Sequence, residues 1–189
     1  LTAPRIFSNV GGRANVPDIP GVKAVPFLTN TSILQIDFAP RHLVVVGGSY
    51  IGLEFAQMFR RFGSQVTVVE QGERLIGRED EDVSLAIASI FQNEGIALRT
   101  HAECISLAPH AEGVEVQVSC KQGSPTVVGS HVLLAVGRVP NTHDLGLDRA
   151  GIEVDARGYI KVDEHLQTNV AGVFALGDCN GRGAFTHTS

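Results

Sequence analysis

The sequence lacks tryptophan, long apolar runs and any concentration of positive charge. Its 15 Lys and Arg residues are scattered among 20 Asp and Glu residues, which gives a formal net charge of −5. Scattered positive charge forms no stripe that could neutralise a nucleic-acid backbone, so small molecules or proteins are the expected partners. The longest apolar runs, 43–46 and 132–136, are far shorter than the ~20 residues that span a bilayer, and we expect no membrane segment.

Cysteine is also scarce. Cys104, Cys120 and Cys179 form neither a CxxC pair nor a metal-ligand pattern, and the seven histidines show no spacing such as HExxH. We therefore predict no metal site, reduced thiols and a cytoplasmic location. The chain opens on Leu1 without a targeting pattern, and we expect it to be a piece of a longer protein.

Glycine is the abundant residue. It occupies 21 of 189 positions, about 11% against about 7% in average usage, in a chain that is 43% hydrophobic and 19% charged. That balance is typical of a globular protein of about one domain. The glycine excess favours ligand-binding loops.

The segment from 43 to 69 has the pattern of a βαβ unit. An apolar run at 43–46 precedes a glycine turn at 47–52, and helical periodicity follows at 53–62, before an apolar run at 66–69. Gly63 is the predicted helix stop. Apolar residues spaced by four, four and three positions predict the helix face that packs on the sheet: Ile51, Phe55, Phe59 and Phe62.

The rest of the chain continues this α/β pattern. We predict a strand at 5–10, a helix at 80–94, a parallel strand at 96–98, an antiparallel ribbon at 102–130 and further strands at 132–136 and 173–176. The acidic residues at the start of the second helix, Asp80 to Asp82, could form a catalytic carboxylate cluster. We favour the interpretation that they cap the helix and that their charge suits the positive end of its dipole. The fold class is α/β, a Rossmann-like parallel sheet flanked by helices with an inserted antiparallel β-ribbon.

The glycine turn lies between a predicted strand and a predicted helix, which is the context that a dinucleotide-binding turn requires. Gly47 allows the tight turn, and Gly52 allows close packing of helix on strand. Ser49 stands where the GxGxxG pattern has its second glycine, and its side chain crowds the expected pyrophosphate position. The cofactor-binding residues predicted in this turn are Gly47, Gly48, Ser49, Tyr50, Ile51 and Gly52.

Glu70 supports the same interpretation. It ends the second strand 18 positions after Gly52, where an acidic residue contacts the adenosine ribose of NAD. A carboxylate there repels a 2′-phosphate, so NADH is favoured over NADPH. Arg74 and Arg78 follow closely and could instead serve a phosphate, and Glu70 could also be an exposed strand-end residue.

Several segments resemble the FAD-dependent pyridine nucleotide-disulfide oxidoreductases. Segments 44–54 and 63–70 are similar to the family's NAD-binding domain, 137–141 (GRVPN) to its GRxPN segment, and 168–178 to its second FAD motif. The tail at 183–187 is closer to the mercuric reductase-like group than to dihydrolipoamide dehydrogenase.

The resemblance implies a division of the chain. Residues 1–30 are the exit segment of the FAD domain, 31–160 the NAD-binding domain and 161–189 the return segment, with the N-terminal FAD half and the C-terminal dimerisation domain missing. The full-length protein, expected to be a homodimer, passes hydride from NADH to FAD and on to a disulfide, metal ion or other acceptor. The isolated chain has no catalytic residue and is expected to be inactive.

The resemblance also implies further cofactor-binding residues. Glu54 lies near the nicotinamide and the flavin edge, although it could be a solvated helix residue. Gly137 lets the chain pass close to NAD with Arg138 beside it, or Arg138 forms a structural ion pair. Gly177 and Asp178 belong to the FAD motif, in which Asp178 accepts hydrogen bonds from the ribityl chain. Alternative functions are an NADH oxidase or ferredoxin-reductase type flavoprotein, and a non-catalytic NAD-binding sensor module.

Overall fold

A computed structural model describes residues 3–103, 105–118 and 124–183, in which regular structure comprises eleven strands and two α-helices. The helices are α1 (Tyr50–Arg61) and α2 (Glu81–Asn93). The strands are β1 (Ile6–Ser8), β2 (Gly12–Ala14), β3 (His42–Val46), β4 (Gln65–Val69), β5 (Ala97–Arg99), β6 (Ser106–His110), β7 (Gly113–Gln117), β8 (Thr126–Gly129), β9 (His131–Leu134), β10 (Arg138–Pro140) and β11 (Val173–Ala175).

The central sheet has the strand order β5–β4–β3–β9, and all of its neighbouring strands are parallel. Helix α1 connects β3 to β4, and α2 connects β4 to β5. Strands β6, β7 and β8 form a separate antiparallel sheet between β5 and β9 in the chain. The predicted fold class, including the inserted ribbon, is confirmed.

Both faces of this sheet are covered, which explains its continuous apolar strands. Leu43 and Val45 pack with Phe59 of α1, whereas Val44 and Val46 pack with the antiparallel sheet. These four β3 side chains are at most 1% exposed. Because successive strand residues point to opposite faces, one valine-rich strand joins the helical layer to the ribbon layer.

Helix α1 departs from prediction at both ends. It begins at Tyr50, so the second half of the predicted turn is already helical. The predicted sheet-facing role of Phe62 is wrong, because this residue follows the last helical residue and is 62% exposed. The Phe62 and Phe59 rings instead form a T-shaped pair, with ring centroids 5.7 Å apart. The buried face consists of Gly52, Leu53, Ala56 and Phe59.

Other element boundaries follow the sequence closely. Helix α2 starts after Asp80 and carries Glu81 and Asp82 in its first turn. The Asp80 side chain makes no capping hydrogen bond, whereas Asp82 Oδ1 accepts the Val83 N–H at 2.9 Å. The negative charge of these residues also suits the positive end of the helix dipole. Gly63 and Gly95 follow the two helices with φ of +99° and +77°, a conformation that glycine adopts at low cost.

The chain divides into two compact units, Ala14–Gly137 and the pair of segments Leu1–Arg13 and Arg138–Ser189. The first unit contains the central sheet and its helices. In the second, β1 and β11 pair in parallel over a small core of Ile160, Ala175 and Cys179. These limits differ from the predicted boundaries at 30/31 and 160/161, and the nucleotide assigned to each part stays a prediction.

Two composition-based expectations concern single features. No helix among the described residues combines the length and apolar character needed to cross a membrane. Cys179 is a free, fully buried thiol. Cys104 and Cys120 lie outside the described residues.

Candidate functional site

The glycine turn directly follows β3 at the carboxyl end of the central sheet. The Gly47 N–H donates to the Val69 carbonyl oxygen at 2.8 Å, and Gly47 has a φ of +113°. A Cβ at this position would lie 2.3 Å from the Ala135 carbonyl oxygen. Glycine is therefore required at position 47 by both the backbone conformation and the neighbouring chain.

Helix α1 begins at the turn and packs against it. Ser49 is the N-cap, in extended conformation, and its exposed side chain makes no capping hydrogen bond. A Cβ at position 52 would lie 2.1 Å from the Gly47 carbonyl oxygen, so Gly52 lets the helix approach the strand end. The first N–H groups of a helix have no intrahelical acceptor and carry the positive end of its dipole, which suits a phosphate.

Side chains of the first helical turn reach different surroundings. The Tyr50 hydroxyl donates to the Glu79 carboxylate, and this hydrogen bond raises the pKa of Tyr50 above its ordinary value of 10.0. Ile51 is half-buried, whereas Glu54 is exposed. Glu54 thus lies four residues after Tyr50 on a solvent-accessible part of the helix.

Glu70 follows β4, the strand paired with β3, so it lies beside the glycine turn. Its Oε2 accepts the Gly48 N–H at 2.6 Å, and its Oε1 accepts the Gly72 N–H at 2.6 Å. The Glu70 N–H donates to the Arg99 carbonyl oxygen at 2.8 Å. The carboxylate is therefore a bridge between two loops in addition to being a candidate ribose contact.

The loop after Glu70 also reaches the turn through its backbone. The Ile76 N–H donates to the Gly48 carbonyl oxygen at 2.8 Å. Ile76 is 8% exposed and has a φ of +41°, which is uncommon for a β-branched residue. Arg74 donates to the Glu79 carbonyl oxygen at 3.3 Å, and Arg78 is exposed. Sequence reasoning missed Ile76, since no local pattern marks a long-range backbone contact.

The second unit contains a different group of predicted residues. Arg138 Nη2 donates to Asp178 Oδ2 at 2.9 Å and to the Gly12 carbonyl oxygen at 2.8 Å. The side chains of Arg138 and Asp178 are only 26% and 18% exposed. Gly177, with a φ of +67°, begins the short 3₁₀ helix Gly177–Asn180 that carries Asp178. The ion pair considered for Arg138 is therefore present.

The structure thus separates the predicted residues into two groups. The unit Ala14–Gly137 holds the turn 47–52 with Glu54, Glu70 and Gly137. Gly137 has a φ of +97°, and its carbonyl oxygen accepts the Asn15 N–H at 3.0 Å. Arg138, Gly177 and Asp178 belong to the other unit. The roles of all these residues toward a nucleotide stay predictions.

Comparisons with known proteins cover nearly the whole chain. Residues 1–189 match the family model described as "Pyridine nucleotide-disulphide oxidoreductase". The probable pyridine nucleotide-disulfide oxidoreductase RclA of Escherichia coli is 40% identical over 188 residues, which are 98% of this chain and 41% of that protein. The mercuric reductase of Streptomyces lividans is 38% identical over 168 residues, 89% of this chain and 35% of that protein.

A comparison with solved structures finds the same kind of protein. The Cu(II) complex of the HOCl-induced flavoprotein disulfide reductase RclA from E. coli matches with a TM-score of 0.90 at 35% identity. The match covers 98% of this chain and 42% of that chain. The chain therefore spans less than half the length of these relatives, with the same fold over the part that it spans.

Proposed function

Because the chain belongs to the pyridine nucleotide-disulphide oxidoreductase family, we propose that residues 31–160 bind NADH within a longer flavoprotein oxidoreductase. The resemblance stated from the sequence motifs is confirmed at the level of the family. The nucleotide preference, the electron acceptor and the role of each site residue belong to this proposal.

The observation that carries the proposal is the arrangement at the ends of β3 and β4. The start of α1 presents N–H groups suited to the pyrophosphate, and Glu70 lies on the adjacent strand end. The positive φ of Gly47 and the close approach of Gly52 to its carbonyl oxygen fit a dinucleotide turn. Ser49 fits as well, since its exposed side chain makes no capping hydrogen bond and so does not compete with a ligand for the first N–H groups of α1.

The same arrangement supports a preference for NADH. A Glu70 carboxylate accepts hydrogen bonds from ribose hydroxyls and repels a 2′-phosphate. Arg74 donates to a carbonyl oxygen of its own loop. Glu54, exposed on α1, and Gly137 are proposed to lie along the nicotinamide half.

Residues 1–30 and 161–189 are proposed to form part of an FAD site. Bound FAD would accept hydride from NADH and pass electrons to a disulfide, a metal ion or another acceptor. Asp178 would accept hydrogen bonds from ribityl hydroxyls, while Arg138 balances its charge. We propose a homodimeric, cytoplasmic full-length protein, and no turnover by the 189-residue chain alone.

The proposal is tested by titrating the 189-residue chain with NADH and NADPH by isothermal calorimetry. We expect NADH to bind about tenfold more tightly, which corresponds to about 1.4 kcal/mol. Glu70→Arg should abolish this preference, whereas Glu73→Arg, the same change at a side chain that is 86% exposed, should retain it. Equal affinity of the unaltered chain and the Glu70→Arg variant for NADH would refute the role of Glu70.

A further inference from the structure

Gly48 is held on both sides by the segment that follows β4. Its N–H donates to Glu70 Oε2 at 2.6 Å, and its carbonyl oxygen accepts the Ile76 N–H at 2.8 Å. These two contacts fix the peptide groups before and after Gly48. The second of these groups contains the N–H of Ser49, which leads into the start of α1.

Side chains of the segment that follows β4 also pack directly against Gly48. A Cβ at Gly48 would lie 2.7 Å from Leu75 Cδ2 and 2.9 Å from Glu70 Cβ. Leu75 is 2% exposed, so it cannot move aside into solvent. The turn therefore rests directly on the Glu70–Leu75 segment, and only glycine fits at position 48.

The Glu70 carboxylate uses both oxygens in this arrangement. Oε1 accepts the Gly72 N–H at 2.6 Å while Oε2 holds Gly48. Hydrogen bonds from N–H groups to a carboxylate are shorter and stronger than those between neutral groups. On the other side of Gly48, Ile76 adopts a positive φ, and its buried backbone N–H donates to the Gly48 carbonyl oxygen.

We propose that Glu70 is a positioning residue for the glycine turn, which it holds in its phosphate-binding shape before a nucleotide arrives. This inference rests on the proposed function and extends it, because Glu70 then acts on the pyrophosphate site through Gly48 as well as on the ribose. Loss of the carboxylate should weaken binding of a nucleoside diphosphate even when that ligand has no ribose hydroxyls.

The discriminating ligands are ADP and 2′,3′-dideoxy-ADP, titrated into the 189-residue chain. Glu70→Gln keeps the size of the side chain but leaves one acceptor oxygen, which cannot serve Gly48 and Gly72 as the carboxylate does. We expect about a tenfold weaker Kd for both ligands. Glu73→Gln removes the same charge from an exposed side chain of the same loop and should weaken neither. A loss seen with ADP but absent with 2′,3′-dideoxy-ADP would overturn the inference.

Amide hydrogen exchange tests the positioning without any nucleotide. In the nucleotide-free chain the Gly48 amide should be protected, and Glu70→Gln should speed its exchange about tenfold or more while Glu73→Gln leaves it unchanged. Unchanged exchange of Gly48 in Glu70→Gln also overturns the inference. If the unaltered chain binds neither ADP nor NADH, the proposed function fails for this chain, and the exchange result alone decides the role of Glu70.

Discussion

Removal of the Arg138 guanidinium should destabilise the unit that contains β1 and β11. In that unit Arg138 Nη2 serves two acceptors, Asp178 Oδ2 at 2.9 Å and the Gly12 carbonyl oxygen at 2.8 Å. With the Arg138 side chain 26% and the Asp178 side chain 18% exposed, water has limited access to the ion pair. Arg138→Leu keeps much of the apolar stem volume but leaves both acceptors without this donor.

The magnitude follows from these two acceptors. A carbonyl that loses its buried donor costs about 1 kcal/mol, and breaking a fully buried ion pair costs about 3–5 kcal/mol. Partial exposure reduces the second figure to about 1–3 kcal/mol, so Arg138→Leu should cost about 2–4 kcal/mol in total. Asp178→Asn removes the charge that Arg138 balances, so the double variant should recover part of this loss, with a coupling energy of about 1–3 kcal/mol.

Residue-specific hydrogen exchange of the β1 and β11 amides measures this effect within the affected unit. Four chains are compared: the unaltered one, Arg138→Leu, Asp178→Asn and the double variant. Arg157→Leu is the control, because its ion pair with Asp155 is long, at 3.8 Å, and the Arg157 side chain is 72% exposed. Additive losses without coupling, or a loss in Arg138→Leu no larger than in the control, would refute the buried-pair reasoning.

Three further variants probe the central sheet. Gly52→Ala places a Cβ 2.1 Å from the Gly47 carbonyl oxygen, so NADH affinity in calorimetry should fall at least about tenfold; undiminished affinity would contradict the turn geometry. Leu133→Ala, at a fully buried position of β9, should lower the free energy of urea unfolding by about 2–5 kcal/mol, and a loss below 1 kcal/mol would contradict the packing. Burial lowers the pKa of His42 in the folded chain below its ordinary value of 6.5. As pH falls below 6.5, the unfolded chain therefore binds the proton more readily than the folded chain, and the free energy of unfolding decreases. His42→Gln should therefore flatten the fall in unfolding free energy between pH 7.5 and 5, and an unchanged slope would contradict this.

The sheet and the turn were predictable because their signals are local. A parallel strand covered on both faces is a continuous apolar run, which the sequence shows at 43–46 and 66–69. Glycine after each helix marks the chain reversal, as at Gly63 and Gly95. Glu70 was predicted from its spacing after the glycine turn, and the parallel pairing of β3 with β4 places it beside that turn.

The contacts made across the fold were not predictable in the same way. Periodicity placed Phe62 on the helix face, but it cannot locate the last helical residue to within one position. Nothing in the sequence near Ile76 indicates that its N–H reaches Gly48, since this contact depends on the path of the whole loop after β4. A motif therefore specifies which backbone shape the turn needs, while distant residues determine how firmly it is held.

The GRVPN segment shows that residues adjacent in sequence can also make contacts in different parts of the fold. Gly137 and Arg138 are neighbours in sequence, and the family resemblance implied that both lie beside NAD, with a structural ion pair as the alternative for Arg138. They belong to different compact units. The Gly137 carbonyl accepts the Asn15 N–H in one unit, while the Arg138 guanidinium holds Asp178 in the other. Arg138 would lose its ion pair with the largely buried Asp178 carboxylate if its guanidinium turned toward NAD. We therefore expect Arg138 to support Asp178, which is the residue proposed to bind FAD. Its substitution should then weaken FAD retention in the full-length protein more than NADH affinity.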